Sequence, residues 1–222
     1  MDWLPRVISS INNQSLKPSN IVVVDNSSED GSLEYAESKN CIVVEYDKKH
    51  FNYSYALNLG LNETIEEEVL ILSAHCELVT KQSVENMIDI RQKYKAAGVY
   101  GRQIPTKNSN PIDTRDLITV FGRERIVFKS YPFFHNAFSL IERSAWEDCP
   151  FNEDQNGVED RFWAREQTLK GRKIIYEPES IVFHEHGLNQ GSSIERAIRV
   201  CDSLEEFHKD DIFQWPKFKK YK

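Results

Sequence analysis

Four short clusters in this chain carry residue types, at suggestive spacings, that do chemistry. The first is Ser73-Ala74-His75, which breaks off an apolar run over residues 69–72. An unalternating apolar run fits a strand covered on both faces in a parallel sheet. Ligands of open α/β sheets collect beyond the carboxyl ends of such strands. The second is Asp25-Asn26-Ser27-Ser28, which ends a β-branched run over residues 21–24 in the same way. The third is the adjacent pair Glu159-Asp160 at the start of a helical pattern, and the fourth is His184-Glu185-His186 after two short strand patterns. Imidazoles bind divalent transition ions or donate to anions, and a carboxylate at a strand or helix end accepts protons. Each cluster also has a plainer use. Asx-rich turns are common, a histidine in a strand-to-helix turn often serves packing, and acids in a first helical turn complement the dipole by ~0.3–1 kcal/mol each.

The composition excludes several alternatives. The chain has 222 residues, 28% charged and 40% apolar, which suits one well-buried α/β domain rather than disorder. A formal charge of −7 argues against a nucleic-acid binder, which shows a basic footprint. No apolar run spans a bilayer and no secretory signal opens the sequence. Cys41, Cys76, Cys149 and Cys201 are widely spaced without a CxxC pair, the pattern of reduced thiols in a cytosolic protein.

The elements that must position these clusters alternate. A first helix carries Leu4, Val7, Ile8 and Ile11 on one face and breaks at Lys17-Pro18. Strands follow over residues 21–24 and 41–46, then a helix over 51–60 with Gly60 near its end, the strand at 69–72, and a helix over 81–95 stopped by Gly98. A strand begins at Val99; residues 117–128 read as a flexible segment or an insertion; residues 133–141 read as a pocket-lining strand or as core. A helix runs from the Glu159-Asp160 region to Lys170, two short strands occupy 174–176 and 180–183, and an amphipathic helix spans 192–209. This alternation predicts a mostly parallel sheet with helices on both faces.

In this order the pieces resemble a GT-A glycosyltransferase of the family 2 type. Ile-Val-Val-Val-Asp-Asn-Ser-Ser-Glu-Asp-Gly, ending at Gly31, is similar to the strand and turn that contact the donor's nucleoside. Tyr-Ala-Leu-Asn-Leu-Gly, ending at Gly60, resembles the helix that follows. Leu-Ser-Ala-His-Cys-Glu-Leu, ending at Leu78, stands in the place of the DxD metal motif. Phe-Asn-Glu-Asp with Val-Glu-Asp-Arg-Phe-Trp resembles the segment of the catalytic base, and Val-Phe-His-Glu-His-Gly the late histidine motif. The resemblance implies a Rossmann-like GT-A fold and an inverting transfer of a sugar from a nucleotide-sugar donor, UDP or dTDP type, to a hydroxyl of a glycan or lipid-linked acceptor in surface-polysaccharide assembly. It implies Asp160 as base with Glu159 beside it, Asp25 on the nucleobase or ribose, and Ser28, Asn58 and Ser73 as further donor-side candidates. The alternative is a degenerate, non-catalytic nucleotide- or sugar-binding relative. A nucleotidyltransferase of the same fold is disfavoured, because no Gly-rich basic loop opens the chain.

The sequence departs from the pattern twice. Ser73-Ala74-His75 lacks both aspartates of DxD, so a divalent cation, Mn²⁺ or Mg²⁺, falls to His75 with His184 or His186; imidazole suits Mn²⁺ better than Mg²⁺. Without a cation, His75 and His186 meet the diphosphate directly. The family's first strand, which lies between those at Ile21 and Val69, is also absent. This predicts a domain over residues 1–210 that continues upstream of Met1 by roughly ten residues, one strand and a turn. Residues 211–222, rich in lysine and aromatics, are read as a tail. Either it is a frayed terminus or it touches the inner face of a membrane, where lipid-linked acceptors lie.

Overall fold

A computed structural model of the chain describes residues 2–155, 157–185 and 194–208. In chain order it contains α1 (Leu4–Asn12), β1 (Val22–Asp25), α2 (Ser32–Ser38), β2 (Ile42–Glu45), α3 (Tyr53–Asn62), β3 (Glu68–Leu72), β4 (Cys76–Leu78) and α4 (Ser83–Tyr94). There follow β5 (Ala96–Ile104), α5 (Pro111–Val120), β6 (Ile126–Phe128), β7 (Phe138–Glu142), α6 (Arg143–Asp148), α7 (Glu159–Leu169), β8 (Lys173–His184) and α8 (Ile194–Phe207). Helix starts follow local chemistry: the Asn52 side chain accepts from Tyr55 N and Asn110 from Ile112 N and Asp113 N, each satisfying orphan first-turn amides. No helix among the described residues is long and apolar enough to cross a membrane.

The larger sheet runs β3-β7-β5-β8-β4, with β6 also on β8, while β1 and β2 form a separate parallel pair. β5 and β8 are parallel, and β7 is antiparallel to both β3 and β5. Asn20, just before β1, donates to Glu66, just before β3 (3.3 Å), so these strands start at the same end. Five strands (β1, β2, β3, β5, β8) therefore share one direction, and β4, β6 and β7 oppose it.

Sidedness follows the pleat. Val69 and Ile71 of β3 pack with Leu57 and Leu61 of α3 in one core cluster. Leu70 and Leu72 pack with Ile11 of α1 and Val84 and Ile88 of α4 in the other. The expected strand with both faces covered is thus present. Its base is held by Arg91, buried on α4, which pairs with Glu68 at 2.5 Å and with Glu67 and Glu142 at 3.2 Å.

Several boundaries differ from the sequence reading. Residues 117–128 hold regular structure at both ends: α5 occupies their start, and β6 pairs antiparallel with β8. The α4 helix ends where expected, but its stop is Lys95, in the left-handed region at φ 51°, and Gly98 lies inside β5. Gly60 is near the end of α3, as expected, and lets the helix approach Val24. The two short strands near the end are one strand, β8, offset against β5 between Glu177 and Ile181. β4, reversed against β8, was hidden in the turn after the Val69 strand. Residues 211–222 lie outside the described residues.

Among the described residues β1 and β3 pair with other strands on one edge only, and between their facing edges lies a largely apolar cavity of about 710 Å³. One face of it is α1 with Val84 and Ile88; the other is Ala56, Leu57, Gly60 and Leu61 of α3. The bonds Ile42 N to Ile21 O and Tyr46 N to Asp25 O turn the odd residues of β1 toward β2. The bonds Ser73 N to Ala137 O and Arg143 N to Glu67 O turn the odd residues of β3 toward β7. Amides of Val22, Val24, Leu70 and Leu72 therefore point into the cavity.

Two outcomes follow. In native-state hydrogen exchange, those four amides exchange much faster than Val69 and Ile71 in the same segment; equal protection overturns the assignment of the open edges. Gly101→Ala is destabilising by ~1–3 kcal/mol, because a Cβ there would lie 2.3 Å from the buried Phe138 ring and 2.7 Å from Ser180 O. An unchanged denaturant midpoint contradicts this.

Candidate active site

The carboxyl ends of β3 and β8 and the start of α7 meet at one place. Ser73 N donates to Ala137 O (3.0 Å) and Cys76 N to Ser73 O (2.9 Å), which closes the turn that carries His75. Cys76 stands opposite His184 in the β4–β8 register. The ring of the fully buried His184 therefore stacks on His75, with centroids 4.9 Å apart and the two Nε2 atoms at 3.0 Å. His184 is thus the late histidine that meets His75; His186 lies outside the described residues.

His75, Cys76 and His184 place one potential ligand atom each within 4.8 Å of one another. Burial pushes the Cys76 thiol far above the ordinary range. Among the described residues the donor set is two imidazoles and a buried thiol with no carboxylate, a set that suits Mn²⁺ better than Mg²⁺.

Asp160 lies in the first turn of α7 and is buried, like Glu159. Its Oδ1 accepts from Arg161 N (2.8 Å) and its Oδ2 from Asn136 N (3.2 Å). Two backbone donors thus fix the plane of the carboxylate while lone pairs on each oxygen stay available. The large cavity brings Asp160, Glu159, Ser73, Ala74, His135 and Asn136 together on its wall. The His135 ring is 6.3 Å from that of His184, which ties the carboxylate to the imidazole pair.

Asp25 and Ser28 form a second group at the end of β1, where Asp25 Oδ1 accepts from Ser28 N at 2.7 Å. Ser27, at φ 65°, makes the turn. Tyr46 packs edge-on to Tyr55 at 5.7 Å, and burial together with the Asp25 charge raises its pKa. Asn58 is engaged elsewhere. Its Oδ1 accepts from Trp146 Nε1 (3.0 Å) and Phe151 N (3.2 Å), and its Nδ2 donates to Phe151 O and Glu153. Asn52 and Ser54 bind the same loop through Glu153 O and Gln155 O. This face of α3 therefore clamps the segment that leads into Asp160.

Sequence reasoning passed over Gln103, His135 and Asn136. The polar pair His135-Asn136 inside the aromatic run from Phe133 to Phe138 was the available signal. Gln103, in a nine-residue strand, gave none.

Comparison with known proteins accords with this arrangement. The model of the family described as Glycosyl transferase family 2 matches residues 1–149. The chain is 27% identical over 204 residues to the O-antigen chain rhamnosyltransferase RfbN of Salmonella typhimurium, covering 86% of this chain and 65% of that protein. It is 25% identical over 194 residues to the O-antigen chain rhamnosyltransferase WbaN of Salmonella anatum, covering 82% and 62%. It thus spans just under two thirds of both relatives. In fold it is similar to the mannosyltransferase PcManGT of Pyrobaculum calidifontis in complex with GDP-Man and Mn²⁺. The TM-score is 0.68 at 18% identity, over 98% of this chain and 62% of that one. S. aureus TarS 1–349 is similar with a TM-score of 0.64 at 13% identity, over 94% and 68%. With the family model covering most of its length and its fold that of GT-A enzymes, the chain is a member of glycosyl transferase family 2.

Proposed function

We propose that this chain is the catalytic domain of an inverting glycosyltransferase. It moves a deoxyhexose such as rhamnose from a nucleotide-sugar donor, of dTDP type before UDP type, to a hydroxyl of a glycan or lipid-linked acceptor of a surface polysaccharide. The observation that carries this is Asp160: a buried carboxylate, oriented by two backbone N–H groups, on the wall of a cavity beside the turn that bears His75. The O-antigen rhamnosyltransferase relatives favour the deoxyhexose and the polysaccharide.

Asp160 accepts the proton of the acceptor hydroxyl while that oxygen bonds to the anomeric carbon and the carbon–oxygen bond to the diphosphate breaks. Attack from the face opposite the leaving group inverts the centre. Glu159, buried beside Asp160 in the first turn of α7, lines the same wall. The Asp25–Ser28 turn with its tyrosines holds the nucleoside. His75 and His184 face the leaving diphosphate, directly or as the residues that would hold a divalent cation. Such a cation, when bound, supplies charge neutralisation for the leaving group.

Asp160→Asn is expected to lower kcat/KM for transfer or donor hydrolysis by about 10²–10⁴-fold without shifting the melting temperature. Activity within a few-fold of the unsubstituted chain removes Asp160 from the base role.

The cavity between β1 and β3 is the observation that favours an incomplete chain, the basis of the non-catalytic alternative. We read it as the seat of one further parallel strand, supplied directly upstream of Asp2. The cavity is lined by residues 21–24 on the β1 side and 66–74 on the β3 side, and by α1 and Lys17-Pro18-Ser19-Asn20, the stretch that leads from Met1 to β1. A chain extended by the in-frame codons before Met1 is expected to melt higher and to slow exchange at Val22, Val24, Leu70 and Leu72. An immediate upstream stop codon, or no change at these amides, discards this reading.

A further inference from the structure

Gln103 has no part in the chemistry above, yet it is 1% exposed and bonded to two histidines. Its Nε2 is 3.1 Å from His135 Nδ1, and its Oε1 is 2.7 Å from His184 Nδ1. The direction of this chain is set from one end. Ala137 N, a backbone donor, lies 3.2 Å from His135 Nδ1, so that nitrogen is an acceptor. An acceptor at His135 requires the amide nitrogen of Gln103 to face it. The amide oxygen then faces His184, whose Nδ1 must donate. A neutral imidazole protonated at Nδ1 carries its lone pair on Nε2, the atom 3.0 Å from His75 Nε2.

We propose that Gln103 is a positioning residue that fixes the Nδ1–H tautomer of His184, leaving the Nε2 lone pair directed, with that of His75, at a divalent cation. In this arrangement His75 Nε2 is the donor to His184 Nε2 at 3.0 Å, and ligating a cation through His75 Nε2 would release that proton. A ligating histidine needs its remote nitrogen tied to an acceptor, and here a neutral amide takes the place often held by a carboxylate. The origin of the order is a strand: β5 pairs in parallel with β8, placing Gln103 opposite Val182, two residues before His184. His135 enters from the segment before β7, so three non-adjacent parts of the chain are locked by one amide.

This inference rests on the reading of His75 and His184 as the diphosphate-side pair, but its test needs no sugar donor. Long-range ¹H–¹⁵N correlation on chain labelled at histidine reads which nitrogen of His184 carries the proton, and a Mn²⁺ titration followed by water-proton relaxation reads affinity. Unsubstituted chain is expected to show Nδ1–H at His184. Gln103→Leu is expected to lose that single tautomer and to weaken Mn²⁺ binding by about 10–100-fold. Gln103→Glu, which still accepts from Nδ1, is expected to keep the tautomer and to bind within a few-fold of the original. The proposal is overturned by a proton on Nε2 of His184 in the unsubstituted chain, by no Mn²⁺ binding there, or by Gln103→Leu leaving both readouts unchanged. Loss of sugar transfer with both readouts intact counts against the transferase reading alone.

Discussion

The double pairing of β8 is the constraint on which the site depends. Along its second half β8 is parallel to β5 on one edge and antiparallel to β4 on the other. A strand held on both edges cannot slide by one residue without turning every side chain to the opposite face. His184 is therefore fixed opposite Cys76, and His75, one residue earlier in a closed turn, has its imidazole brought against that of His184. The offset between Glu177 and Ile181 delivers this register: it lets β8 follow β5 for two stretches while changing which residues stand opposite Arg102 and Gln103.

The acid side of the site is built by a different device. Asp160 sits in the first turn of a helix and accepts from the amide of Arg161, which it shares with Val158 O at 3.1 Å; the second donor, Asn136 N, comes from the segment before β7. The carboxylate is held by main chain alone, so its orientation depends on the packing of α7 and β7 rather than on a flexible side-chain partner. The aromatic layer of Phe134, Phe151 and Trp163 fixes that packing, with ring centroids 5.4–5.6 Å apart. Asn58 and its neighbours on α3 fasten the approaching loop from the other side. The two halves of the site are thus joined through the core, and the His135–Asn136 dipeptide is where they touch.

The open edges of β1 and β3 have a thermodynamic meaning. Both strands hold half-buried apolar side chains, those of β3 on two faces, yet leave main-chain groups of alternate residues aimed into an apolar cavity. Unpaired backbone in such surroundings is costly. The proposed further strand would offer those groups main-chain partners.

Much was legible from sequence because it is local. Apolar runs ended by Asp25 and by Ser73, acids at the start of α7, and the stripe of α1 are each written within about ten residues, and periodicity reports them. The alternation of these elements was sufficient for the α/β class. The rest was decided at long range. That His184 meets His75 depends on pairing across 109 residues, and that Gln103 joins His184 depends on a register across 81. Asn58 read as a ligand-side residue because its helix was recognised, but not that its amide closes on a loop 93 residues later. Residues 117–128 carried mixed charge and β-branching that no single period describes, and only the free edge of β8 makes a strand of their end. The sequence by itself determined which residue types stand at the ends of strands and helices, since those positions follow from local backbone preference and burial pattern. Only the tertiary structure decided which of them touch, because contact is set by strand register, and register is a property of the assembled sheet.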